Sequence, residues 1–195
     1  LSILAVSVAT GFIFATLRLV GLKRWGAFFG TLLFSASAIA VRGAVFVEVY
    51  GLALFGLAVV LWAVCRCVFR EAEARDVLTL ALCYGLALAH HPTQAFLAPA
   101  VLYAVVRYTR KNRPPAAFYA LLAAAGLFGL SAYLYLPLRT AAVPAVAWFS
   151  PDNLERLGFV LGGAAYGEFW GVSGGYFWSN VSLLAGYLSG QLPVY

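Results

Sequence analysis

The stretch YGLALAHHPTQAFLAPA, from Tyr84 to Ala100, interrupts a long apolar segment with the only two histidines in a chain of 195 residues. Pro92 follows His91 directly, and proline disfavours helical backbone inside a helix and at the residue that precedes it. We therefore predict two apolar helices joined by a short polar tip of irregular backbone.

The composition places this hairpin in a membrane. Hydrophobic residues make up 64% of the chain, charged residues 10%, and the mean hydropathy is +0.90, more than the surface of a soluble domain of this length tolerates. Three cysteines, at 65, 67 and 83, fall within or beside apolar runs, so no disulfide framework is expected. The start at Leu1 in mid-run, with no methionine, predicts a piece of a longer chain.

Basic residues divide the chain into candidate helices. Three clusters hold most of them: Arg18, Lys23 and Arg24; Arg66, Arg70 and Arg75; and Arg107, Arg110, Lys111 and Arg113. Six apolar runs lie at residues 1–17, 26–41, 43–65, 77–89, 94–106 and 116–136. The prediction is an all-α, polytopic bundle of about six transmembrane helices over residues 1–138. A non-cytoplasmic segment with interfacial amphipathic helices is expected over residues 139–195.

The clusters also predict the orientation in the membrane. Short loops rich in Lys and Arg stay in the cytoplasm, and placing all three clusters there lets every intervening run cross the membrane without conflict. Residues 42–50, residues 90–94 and everything after Pro137 then face the non-cytoplasmic side. We expect the functional site on that side.

The hairpin around the histidines is short for a pair of membrane spans. A span needs about 20 apolar residues to cross a ~30 Å core, yet the runs on either side of HHPT, residues 77–89 and 94–106, have 13 residues each. Its tip would stop at membrane depth, where lipid cannot satisfy imidazole or irregular backbone. The tip is therefore expected to line a water-filled cavity.

Two charged residues lie near the same predicted face. Glu48 is inside an apolar run, where an ionised carboxylate costs ~2.5 kcal/mol or more unless it faces protein or water; it is either a site residue or the partner of Arg42 in a structural ion pair. Arg139 comes two residues after Pro137, which is expected to end the preceding helix. Its planar guanidinium group can donate two parallel hydrogen bonds to a phosphate. The alternative is that the side chain extends to the lipid headgroups.

These residues carry a resemblance. Within residues 36–195 the chain resembles a polytopic membrane family first catalogued as a domain of unknown function. The segments that carry the resemblance are, in order, EVYGLALF, GLALAHHPTQAFLAPA, YLYLPLR, AWFSPDNLERLGFVL and AAYGEFW. That family includes the endoplasmic-reticulum protein O-mannosyltransferase and is assigned to the GT-C glycosyltransferase superfamily. The resemblance implies that the chain is a fragment of a larger GT-C-like fold.

The resemblance also implies site residues. The family's Glu-Val-Tyr falls on Glu48 to Tyr50, with Glu48 as a catalytic candidate that orients a neighbour or the acceptor. The implied substrate-binding residues are Tyr50, His90, His91, Arg139, Trp148 and Tyr166. His90 stands where the family usually has Asn, and the stretch around Trp148 lacks the family's carboxylate. The catalytic acid of GT-C enzymes lies in a first outer loop, expected ahead of Leu1, so we expect these residues alone to be inactive.

The function implied is transfer of a sugar from a polyprenyl-phosphate-linked donor to an acceptor protein or glycan. It would take place on the non-cytoplasmic face of a bacterial inner membrane, or of the endoplasmic reticulum in a eukaryote. We predict membrane lipids as partners, no nucleic acid and no cofactor, with a divalent metal left open. The alternatives are a transporter or channel with a Glu/His relay and a structural assembly partner.

Overall fold

The computed structural model describes residues 1–45, 49–142, 151–161, 182–183 and 185–186, and within these ranges every regular element is a helix. The chain divides into two compact units, Leu1–Tyr133 and Leu134–Tyr195. The helices of the first unit are α1 (Ser2–Leu19), α2 (Arg24–Ala36), α3 (Ala38–Val45), α4 (Tyr50–Phe69), α5 (Ala74–His90), α6 (Ala98–Asn112) and α7 (Ala116–Leu130). Short 3-10 helices cover Pro92–Leu97 and Ser131–Leu134, and the second unit has α8 (Tyr135–Ala141) and α9 (Leu154–Leu161).

Three helices of the described chain are long and apolar enough to cross a membrane: α1, α4 and the continuous stretch Ala116–Ala141. The α2–α3 pair, bent by 58°, would be a fourth if it forms one broken span. The all-α membrane architecture is thus supported, whereas six spans are not confirmed. With 17 and 15 residues, α5 and α6 are shorter than a typical span.

A serine divides the second apolar run, which was predicted as one helix. Ser37 has extended backbone, and its hydroxyl donates to the Phe34 carbonyl at 2.6 Å and accepts the Ala40 N–H at 3.3 Å. Serine competes in this way with helical hydrogen bonds and favours a helix start. The run therefore becomes α2 and α3, and the third predicted run is divided between the end of α3 and α4.

The prediction that Pro137 ends a helix is wrong. A 3-10 helix, Ser131–Leu134, follows α7, and Pro137 is the third residue of α8, which continues to Ala141. The N–H groups of the first helical turn have no intrahelical acceptor, so a proline there loses no hydrogen bond. Arg139 consequently lies in a helix rather than after one.

The packing fixes the directions of the helices in the first unit. α1 runs parallel to α4, because Ser2 lies against Gly51 while Phe12 contacts Trp62 with ring centroids 5.4 Å apart. α5 runs antiparallel to α4, and Arg66 donates to Asp76 at 2.8 Å across their connection. α6 returns antiparallel to α5, and its Lys111 lies 3.6 Å from Glu71.

The three basic clusters therefore share one end of the first unit, called here the basic end. The opposite end holds Val49, Tyr50, residues 88–94 and Tyr133, and is called the histidine end. Fully buried Val60, Val77 and Leu80 lie between the two ends in the core of α4, α5 and α6. Which side of the membrane each end faces stays a prediction.

Glycines allow α5 and α7 to pack backbone against backbone. A Cβ on Gly129 would lie 2.5 Å from the Leu82 carbonyl oxygen and 2.7 Å from the Leu86 nitrogen, and one on Gly85 would overlap the Gly126 carbonyl. Small residues at a helix crossing permit such an approach in membrane proteins. The parallel α5–α7 pair therefore requires glycine at 85 and 129.

We predict that Gly129→Ala destabilises the protein, whereas Gly126→Ala does not. The alanine methyl at 129 would force the two backbones apart, at a cost of ~1–3 kcal/mol. At 126 the nearest atom to a Cβ is the Ala81 oxygen at 3.9 Å. Thermal unfolding in detergent, followed by circular dichroism, compares the two variants. Equal midpoints would contradict the close α5–α7 packing.

Candidate functional site

The end of α5 is set by the proline after the two histidines. His91 has extended backbone (φ −148°, ψ 123°), and Pro92 opens the following 3-10 helix, as expected for a residue preceding proline. In an uninterrupted helix the Leu88 carbonyl would accept the N–H of residue 92, which proline lacks. The Tyr133 hydroxyl donates to that carbonyl at 2.8 Å instead.

His90 connects the hairpin tip to the start of α4. Its Nε2 lies 3.0 Å from the Val49 carbonyl oxygen, 41 residues away. A carbonyl can only accept, so Nε2 carries a hydrogen and donates; in the neutral ring Nδ1 is then the acceptor nitrogen. The bond holds His90 beside the backbone of the predicted Glu-Val-Tyr motif.

His91 bonds the protein through its other ring nitrogen, Nδ1. Its Nδ1 accepts the Thr93 N–H at 3.3 Å and lies 2.8 Å from the Thr93 hydroxyl. In the neutral ring Nε2 therefore carries the hydrogen and can donate. His91 lies outside the helices that could span the membrane; its partial burial, and then the adjacent His90, hold its pKa below the ordinary histidine value.

Tyr50, at the start of α4, lies against the ring of His91, and these two residues together with His90 form a cluster. Its ring centroid lies 6.0 Å from that of His91, with the planes tilted by 44°. The side chain is 59% exposed, so the phenol is accessible from outside the first unit's core. Tyr50, His90 and His91, predicted separately as site residues, are thus brought together by the fold.

A buried glutamine, which the sequence analysis did not single out, connects the hairpin tip to α4. Gln94 is 4% exposed, and its Nε2 donates to the Ala53 carbonyl at 2.9 Å. Its Oε1 has no hydrogen-bond partner among the described residues. The polar letters HHPTQ inside an apolar run were the available signal, but a contact with a residue 41 positions away is not encoded in any local pattern.

An apolar groove leads along α4 and α5 to the histidines. Its volume is about 340 Å³, and it is lined by Leu52, Phe55, Gly56, Val59, Cys83, Leu86, Ala87 and His90. Among the described residues of this lining, the ionisable groups are the imidazole of His90 and the thiol of Cys83. The groove therefore offers a hydrocarbon surface with an imidazole at its end.

The remaining predicted residues are not part of this cluster as described. Glu48, Trp148 and Tyr166 lie outside the described residues. Arg139 belongs to α8 of the second unit, is exposed, and makes no ion pair with any described residue. Within the described ranges no three His, Cys, Asp or Glu side chains are grouped as metal ligands would be.

The chain matches one family model, described as the N-terminal domain of the protein O-mannosyl-transferase TMEM260, over residues 3–116. The match covers more than half of the chain and includes Tyr50, His90 and His91. No curated protein and no solved structure gives a significant match.

The hydrogen bonds predict that His91 is neutral at pH 7, with the proton on Nε2. Labelling with ¹⁵N-histidine introduces only two rings, and His90→Gln isolates the signals of His91 for solid-state NMR. Because the pKa of His91 is lowered, its ring should gain a second proton only at a lower pH than the ring of free histidine does.

Because burial and then the neighbouring His90 lower the pKa of His91, and the Thr93 N–H that donates to Nδ1 is kept in Thr93→Val and in Thr93→Ser, both variants should leave that pKa below the ordinary value. A doubly protonated His91 at pH 7 in the unmodified chain would contradict the assignment.

Proposed function

The chain belongs to the family of the TMEM260 protein O-mannosyl-transferase N-terminal domain, and we propose that it forms part of a membrane glycosyltransferase. In this proposal the donor is a sugar linked to a polyprenyl phosphate, and the acceptor is a hydroxyl of a protein or glycan. Transfer takes place on the non-cytoplasmic face, at the histidine end. Membership of an O-mannosyltransferase family supports glycosyl transfer in general; donor, acceptor and sidedness are the proposed part.

The observation that carries the proposal is the bond between His90 and Val49. It joins the two motifs that the sequence offered as site candidates, although they are 41 residues apart. Tyr50 follows Val49 directly and contacts His91. A chain that used these residues only for helix packing would have no need to gather them at an accessible end.

The groove along α4 and α5 suits the hydrocarbon part of the donor. A polyprenyl chain is apolar and flexible, and the lining from Leu52 to Ala87 is almost entirely apolar. A chain lying in this groove would bring its phosphate to the end where His90 stands. The Nε2–H of His91 would then be a donor for that phosphate or for the sugar.

Arg139 is the proposed cation for the donor phosphate. Departure of the lipid phosphate develops negative charge on its oxygens, and a guanidinium can bind two of them at once. Arg139 is exposed and has no carboxylate partner among the described residues. Its charge is therefore free to serve an anionic ligand.

The ring nitrogens have separate roles in this scheme. With Nε2 of His90 bonded to a backbone carbonyl, the ring is held in one orientation and its Nδ1 is left to accept a hydrogen bond, for example from a sugar hydroxyl. The base that deprotonates the acceptor hydroxyl is expected to be a carboxylate. Glu48 remains a candidate for orienting the acceptor.

A proton relay, as in a transporter, is the alternative use of the same residues. A relay needs each imidazole to exchange protons at both nitrogens. Here one nitrogen of each ring is already bonded to the protein, His90 to Val49 and His91 to Thr93. This arrangement favours binding and orientation over proton transport.

We predict that Arg139→Gln lowers sugar transfer from the lipid-linked donor about a hundredfold, or ~2.7 kcal/mol, which lies in the upper part of the ~1.5–3 kcal/mol range for a charge-assisted bond. Arg139→Lys keeps the charge but loses the two parallel donors of the guanidinium group, so sugar transfer should fall only modestly. The matched control is Arg107→Gln, which removes another exposed arginine, at the basic end. Transfer is measured in membranes that carry the complete gene product. Near-normal transfer by a folded Arg139→Gln protein would assign Arg139 to lipid headgroups instead.

A further inference from the structure

A second groove runs between α1 and the α2–α3 pair. It consists of three adjoining depressions of about 490, 310 and 420 Å³. The first two share Phe14 and Phe28, and the last two share Thr10 and Ser35. Together they form one continuous surface, called here the α1/α2 groove, that starts at Arg24 and Trp25 and extends toward Ile3.

The wall of this groove is apolar despite its hydroxyl residues. Thr10 donates to the Val6 carbonyl at 2.9 Å, and Thr31 to the Ala27 carbonyl at 2.7 Å. Ser35 bonds the Thr31 carbonyl at 2.9 Å and lies 3.4 Å from the Thr10 hydroxyl. The hydroxyl groups of Thr10, Thr31 and Ser35 are therefore used within the helices, which leaves mainly methyl groups and aromatic rings to meet a ligand.

The groove is long enough to cover an acyl chain across one leaflet of a bilayer. From Phe14 to Ile3 along α1 is eleven residues, or about 16 Å of helix. Half of a ~30 Å hydrocarbon core is about 15 Å. An acyl chain that enters at the basic end would be covered along its length by this surface.

The mouth of the groove is cationic. Arg24 lines it, Lys23 and Arg18 are its neighbours in sequence, and the first acidic residue of the chain is Glu48. None of the three cations forms an ion pair within the described part of the chain. Trp25, 71% exposed, stands at the same mouth, and indole favours the headgroup region of a membrane.

We infer that the α1/α2 groove binds one anionic phospholipid, with its phosphate at Arg24 and an acyl chain along α1. A guanidinium suits a phosphate, and basic pockets between membrane helices bind acidic headgroups. A net negative headgroup is favoured because Arg24 is the charged residue of the described lining at the mouth and makes no ion pair with a described residue. This site is at the basic end, away from the proposed donor site, and does not depend on it.

Gly11 provides a direct way to fill the groove. It lines the middle depression, and a Cβ placed on it meets no atom within 4 Å. Gly11→Leu should therefore fold normally and occupy the path of the acyl chain. Gly158→Leu is the matched control, because Gly158 is also a helical glycine with open space around it and lies outside the groove.

The test is lipid retention, measured by native mass spectrometry after reconstitution of the purified chain in phosphatidylcholine vesicles containing phosphatidylglycerol. The unmodified chain and Gly158→Leu should each retain one phosphatidylglycerol. Retention should fall at least tenfold in Gly11→Leu and in Arg24→Gln, and less in Arg24→Lys. Circular dichroism verifies that each variant keeps its helix content.

Three results would overturn the inference. Equal retention of phosphatidylcholine and phosphatidylglycerol would remove the role of the cations. Loss of lipid in Arg24→Gln but not in Gly11→Leu, together with displacement by millimolar inorganic phosphate, would indicate a site for free phosphate. A lipid-free dimer that Gly11→Leu dissociates would mean that a second copy of the chain covers the groove.

Discussion

The arrangement of the histidine end depends on a missing backbone N–H. Pro92 cannot donate to the Leu88 carbonyl, and a carbonyl without a partner in a low-dielectric environment costs several kcal/mol. Tyr133 supplies the missing donor from the chain segment that follows α7. The interruption of α5 is therefore compensated by a contact 45 residues away, and that contact requires α5 and α7 to approach as closely as their glycines allow.

Two further hydrogen bonds from side chains to backbone carbonyls hold the histidines and the hairpin tip in place. His90 and Gln94 each donate to a carbonyl at the start of α4, so the tip is attached to α4 and through Tyr133 to the segment after α7. Three hydrogen bonds to neighbouring segments thus fix the position of the tip although its backbone is irregular. The tip holds two imidazole rings next to Tyr50, with the acceptor Nδ1 of His90 and the donor Nε2–H of His91 left for a ligand, which is the geometry the proposed transfer of sugar uses.

The sequence predicted the features that depend on composition and on neighbouring residues. The all-helical membrane class followed from composition, and the break at His91 followed from the steric effect of Pro92. The common end of the basic clusters followed from their spacing. The division at Ser37 and the helical position of Pro137 were missed, because both depend on local hydrogen bonds that hydropathy does not register. The pairs Tyr133–Leu88 and Gln94–Ala53 could not be predicted, since only the packed fold brings residues more than 40 positions apart into contact.

The central claim is that the histidine end and the basic end face opposite sides of the membrane, with the site on the outside. Single cysteines replace Tyr50 and Arg110 in turn, in a chain whose Cys65, Cys67 and Cys83 are changed to alanine. An impermeant thiol reagent is then added to intact, right-side-out cells. We predict that the cysteine at 50 reacts at once, while the one at 110 reacts only after the membrane is permeabilised. Equal or reversed labelling would contradict this orientation of the two ends.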